Sequence, residues 1–119
     1  MDDSYGTEFR ERAFRFTCDV FDFCEELAAT PGMGRRVAYQ LFDAASSIGA
    51  NLEEAKAAYS DRDFAAKNSI SLKEARESKY WLRVASVKSL GDKRLRERLL
   101  READEWVAML TTGMKNIRG

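Results

Sequence analysis

A chain of 119 residues with 45% hydrophobic and 34% charged side chains is sized for one domain with one core and is too apolar to be disordered. One proline and 7 glycines are too little punctuation for a many-stranded sheet, no apolar run approaches a membrane span, and histidine is absent, which removes the commonest metal ligand and general base. The formal net charge is zero but unevenly placed: residues 1–30 hold eight acidic and three basic side chains, net −5, and residues 67–101 hold eleven basic and four acidic, net +7.

The opening "MDDSYGTEFR" is acidic and lacks an apolar h-region, so no secretory signal is read there and a cytoplasmic location is expected. From about residue 7 to 29, Phe9, Ala13, Phe16, Val20, Phe23 and Leu27 recur at alternating steps of four and three, the seam of an amphipathic helix. Cys18 and Cys24 fall on this helix about 120° apart, so they cannot bond to each other without breaking it. They read as free, buried thiols. "TPGMG" then breaks the helix with a proline and two glycines.

The second segment, about 34–58, carries Val37, Leu41, Ala44, Ile48, Leu52 and Ala55 on one stripe. Ala38, Ala45 and Gly49 flank it on one side and are small enough to admit a neighbouring backbone. In the third segment, about 61–88, Ser60 is an N-cap with Asp63 three residues on. The inward face expected here is Phe64, Lys67, Ile70, Ser71, Glu74, Ala75, Ser78, Trp81 and Leu82. Gly91 marks a turn, and the fourth segment, about 92–118, aligns Leu95, Leu99, Trp106, Leu110 and Ile117. Four long amphipathic helices with short connections predict an all-α, antiparallel up-down-up-down four-helix bundle, a single domain over residues 1–119.

Polar residues interrupt two of these helices. Ser47, Asn51 and Glu54 line the other flank of the second, and Ser71 and Glu74 interrupt the third. The economical reading is that the strips face each other as a buried hydrogen-bonded network that fixes register, with a ligand or partner groove as the alternative. Glu53, Glu54, Glu74 and Glu77 could supply carboxylates to a metal, but bundles of that kind also use a Glu-x-x-His motif, so no metal, cofactor or catalytic residue is expected.

Two further features point outward. Phe14, Cys18 and Phe21 form a second stripe on the back of the first helix, and Tyr80, Val84 and Val87 lie on the outer side of the third. A monomeric bundle buries only one face of a helix, so these are candidates for subunit contact, the alternative being a core that wraps further around. Lys88, Lys93, Arg94, Arg96, Arg98 and Arg101 gather around the third turn, either as a solvated face or as a nucleic-acid-binding patch.

"QLFDAASSIGANLEEA" resembles a segment of the 23S ribosomal RNA intervening-sequence protein family, the match falling on Gln40, Leu41, Ala44, Ala45, Ser47, Ile48, Asn51 and Glu54. "SISLKEARESKYWLR", Ser69 to Arg83, resembles the third-helix block of its four-helix-bundle branch. The resemblance runs from about Phe16 to Leu110, and Ala55 stands where the family commonly has glycine. It implies a left-handed bundle that assembles into a homo-oligomeric ring, typically a pentamer, without enzyme activity. A related branch serves diversity-generating retroelements and binds a reverse transcriptase and nucleic acid. The expectation is therefore a non-enzymatic scaffold or adapter whose partners are copies of itself and another protein. The alternative is an accessory protein that binds RNA or DNA through residues 88–101.

Overall fold

The computed structural model describes the backbone of residues 4–118 and the side chains of residues 6–113. It contains α1 (Ser4–Ala28), α2 (Met33–Lys56), α3 (Asp61–Val87) and α4 (Lys93–Arg118), with no strand among the described residues. The first helix begins three residues before the predicted start, and the second ends two residues before the predicted end. At 1.5 Å per residue each helix is about 36–40 Å long. The whole measures 46 × 22 × 21 Å, one helix long and two helices wide.

Cross-helix pairings set the direction of each helix. Arg10 and Phe21 of α1 meet Glu53 and Phe42 of α2, so the two run antiparallel. Ile48 and Glu54 of α2 meet Ser71 and Lys67 of α3, again antiparallel. Arg12 and Asp19 of α1 meet Glu102 and Arg98 of α4. Each helix packs on its two neighbours, and the diagonal pairs, α1 with α3 and α2 with α4, do not approach.

The ends are built as the sequence suggests. The Ser60 side chain accepts a hydrogen bond from the Asp63 N–H at 3.1 Å, and Asp63 in turn accepts from the Tyr59 N–H at 3.4 Å. Asp92 does the same for α4, accepting from the Leu95 N–H at 2.8 Å. These bonds satisfy N–H groups that have no partner inside the helix. Between α3 and α4 the chain turns through Ser89 (φ 54°) and Gly91 (φ 69°), and the Leu90 N–H reaches back to the Ala85 carbonyl at 2.9 Å.

The core runs through α1 at Ala13, Phe16, Val20, Phe23, Cys24 and Leu27, and through α2 at the predicted stripe. In α4 it takes Leu99, Ala103, Trp106 and Leu110. Each large apolar side chain buried here contributes roughly 1.5–3 kcal/mol. Ile117, assigned to the same stripe by its spacing, lies outside the described side chains. The third helix differs from expectation: its buried face is Ser71, Ala75, Ser78, Leu82 and Ala85, while Phe64 and Ile70 are exposed. Ile70 is off the stripe, and Phe64 sits beyond the last well-packed layer at the bundle end.

Side-chain size sets the spacing of the helices. Ala13 opposes Gly49, where an added Cβ would rest 3.6 Å from the alanine methyl, so α1 and α2 pack closely through small residues. The α1–α4 contact is the thinnest of the four, and large side chains bridge it. Phe9 and Trp106 stack with centroids 4.8 Å apart. Arg12 Nε and Nη2 donate to the two Glu102 oxygens at 2.9 and 2.7 Å, Arg12 also pairs with Glu105, and its guanidinium lies 5.6 Å from the Trp106 ring centre.

This fork has a pH signature. Burial pushes the Glu102 carboxyl up, but the Arg12 hydrogen bonds and charge outweigh it and hold the group below its usual 4.5. A carboxyl depressed in the folded state gives stability that is complete above its unfolded value and is lost as pH falls through the folded one. Arg12→Ala is therefore expected to cost about 1–2 kcal/mol at neutral pH, after discounting for partial exposure. Glu102→Gln should be less stable than the parent at pH 7, with the difference closing below pH 4.5 in urea melts. A difference that stays constant into acid would show that the pair carries no linkage.

Candidate interaction surfaces

The polar strip does not form one buried network. Asn51 Nδ2 donates to Ser47 Oγ at 3.0 Å and to the Ser47 carbonyl at 2.9 Å, both within α2. Ser71 makes the one buried bond of the strip that crosses between helices, donating to the Ile48 carbonyl at 3.0 Å. Glu54 corrects the expectation: it is exposed and pairs with Lys67 at 2.9 Å across the outside of the α2–α3 contact. Such a solvent-exposed pair adds little to stability. Glu74 is half-buried and faces Asp43 and Glu77, away from Glu54. Burial first, then the charge of Glu77, raises its carboxyl above the usual value. The strip is thus a set of local bonds plus one inter-helix anchor. Among the described residues no three His, Cys, Asp or Glu side chains converge on a metal position.

The outward apolar residues form two patches. Phe14 is 60% exposed and Phe21 50%, and Cys18 between them is exposed, which corrects its reading as a buried thiol and fits its place on the outward stripe. Phe21 leans edge-on against Phe42 of α2, with centroids 5.8 Å apart, and Tyr39 is also exposed, so this patch extends onto α2. Sequence reasoning overlooked Phe42 and Tyr39, although they stand about 120° and 180° from the buried stripe of α2. Cys24, by contrast, is buried, and burial pushes its thiol up to about 12, which leaves it inert at neutral pH. On α3, Tyr80 is 56% exposed and Val87 79%, with Val84 half-buried beside them. A shallow groove of about 250 Å³ runs between Tyr80, Arg83, Val84, Val87 and Lys88.

The basic segment divides. Lys88, Lys93, Arg94 and Arg101 are exposed. Arg98 pairs with Asp19 at 3.0 Å. Arg96 is buried, which corrects its assignment to a binding patch. Its Nη1 donates to the Leu90 carbonyl at 2.7 Å and to the Gly91 carbonyl at 3.3 Å, so it ties down the turn after α3. What remains is a set of exposed cations, of which Lys88 borders the groove beside Tyr80 and Val87. No described helix is long and apolar enough to cross a membrane.

A family model described as 23S rRNA-intervening sequence protein matches residues 7–112. A crystal structure of a protein of unknown function from the S23 ribosomal protein family of Bacteroides thetaiotaomicron is similar at 26% identity. The similarity covers 89% of this chain and 97% of that one, with a TM-score of 0.79. No curated protein matches the sequence.

Proposed function

Because the chain belongs to the 23S rRNA intervening sequence protein family, we propose that it is a cytosolic, non-enzymatic scaffold or adapter that works as a homo-oligomeric ring, with five copies the expected number. One observation carries this reading. The α1 patch and the α3 patch lie on diagonal helices that do not touch, so they face opposite sides of the bundle. A two-fold dimer would pair one patch with itself and leave the other in water. Setting the α1 patch of each copy against the α3 patch of the next buries both, and a rotation of about 72° between successive copies would close such a contact into a ring of five. The two free cysteines suit a reducing compartment, and the lack of histidine supports a role other than acid–base chemistry.

Phe21→Glu is expected to shift the mass measured by light scattering toward the monomer while helical content stays near that of the parent. It places a charge where an aromatic ring would be desolvated, a cost of several kcal/mol per contact in order of magnitude. A parent that is already monomeric at micromolar concentration would sink the proposal. So would strong retardation of a structured RNA or duplex DNA by the oligomer at low salt, abolished in Arg94→Gln and Arg101→Gln variants, which would favour nucleic acid as the partner.

A further inference from the structure

The two ends of the bundle are not alike. At the α3–α4 turn, Gly91 presses on Phe23 and Leu27, and only a smaller pocket of about 280 Å³ opens beside them. At the opposite end, where α1 and α3 begin and α2 and α4 finish, the helices splay around a cavity of about 600 Å³. Phe9, Leu52, Phe64, Met109 and Leu110 give it an apolar wall. That volume, and that ratio of apolar wall to a few polar groups, is typical of small-molecule sites.

Four polar side chains share the lining. Asn68 is half-buried and makes no side-chain hydrogen bond among the described residues, although an amide carries two donors and an acceptor. Its amide is therefore open to a partner from outside the chain. The other three are Thr112, Arg10, which is paired with Glu53 at 4.0 Å, and Lys56, which has no ion-pair partner among the described residues. No carboxylate is among the described residues that line the cavity, and Lys56 brings a positive charge to its rim.

We propose that this cavity binds a medium-chain monocarboxylate, its tail against Phe9, Leu52, Phe64, Met109 and Leu110 and its carboxylate taking the Asn68 amide and the positive field of Lys56. The apolar wall recognises the chain length and the donors recognise the charge. A cationic amphiphile of equal length fits the wall and is repelled by the lining.

Calorimetric titration of the intact protein with decanoate, decyltrimethylammonium and decanol tests this. One decanoate per chain is expected, with the ammonium compound not bound. Ala108→Trp places a bulky ring into the cavity from an exposed position on α4, so it should abolish decanoate binding and leave the thermal melt unchanged. Lys56→Glu should weaken decanoate about five- to tenfold and leave decanol unaffected. Asn68→Leu should weaken decanoate and leave decanol unaffected. The proposal is overturned if decanoate does not bind, if the ammonium compound binds as tightly, or if Ala108→Trp still binds. Saturation at half a ligand per chain also overturns it, since the cavity would then be an interface between copies.

Discussion

Gly91→Ala is expected to lower stability by about 2–4 kcal/mol, from two terms of the same sign. Gly91 sits at φ 69°, in the left-handed region. There a side chain costs about 1–2 kcal/mol. The second term is steric. An added Cβ would lie 2.6 Å from Phe23 Cε1 and 2.6 Å from Leu27 Cδ1. Both rings and branches belong to the core, with Phe23 fully buried and Leu27 7% exposed. Neither can move without displacing its own neighbours, and overpacking of this kind typically costs about 1–3 kcal/mol. The sum corresponds to a fall of roughly 10 °C or more in melting temperature for a domain of this size. Ser89→Gly, two residues earlier at φ 54°, is the matched control. It relieves a left-handed side chain without adding an atom, so it should raise stability slightly. A Gly91→Ala melt within 2 °C of the parent would mean that the turn relaxes freely and that the α3–α4 connection does not close that end of the core.

The apolar seams were legible because helical spacing fixes them. Phe9 to Leu27 and Val37 to Ala55 fall where a 3.6-residue period puts them, and nothing else in the chain competes. Polar positions were harder because their type was weighed before their phase. Glu54 stands about 120° from the centre of the α2 stripe, which is solvent-facing, yet its place beside Ser47 and Asn51 suggested one strip. Asn51, nearer the stripe at about 60°, is the half-buried member. The end cavity was not legible at all. Its wall uses the same residue types and the same period as the core, and whether four helix ends converge or splay is decided by packing between distant segments. The opposed placement of the two outward patches became clear only once the order of the helices around the bundle was known.

Arg96 teaches the same lesson about charge and gives the last expected result. "KRLRERLLR" reads as one basic block, but the helix distributes it around its axis. Taking Leu99, Ala103 and Trp106 as the buried side of α4, Arg96 lies about 60° away, and Lys93, Arg94, Arg98 and Arg101 lie about 100–160° away. Only Arg96 is turned inward, and it is 7% exposed. Two opposing terms follow from burying it. Its Nε has no hydrogen-bond partner, and no carboxylate answers its charge among the described residues, which disfavours the fold. Against this, Nη1 satisfies the Leu90 and Gly91 carbonyls just past the C-terminus of α3, where the helix dipole favours a cation. Hydrogen bonds from a charged donor contribute about 1.5–3 kcal/mol each, so the second term prevails. Arg96→Ala removes the bonds and leaves a void, and should cost about 2–4 kcal/mol. Arg96→Met keeps the volume and removes the unpaired Nε, so about half that cost should return. Arg94→Ala, on the exposed side, should stay within about 0.5 kcal/mol of the parent. The ordering of the three variants in urea melts is the check. If Arg96→Ala is as stable as Arg94→Ala, the turn does not depend on the buried guanidinium, and Arg96 is free to serve the exposed basic surface with its neighbours.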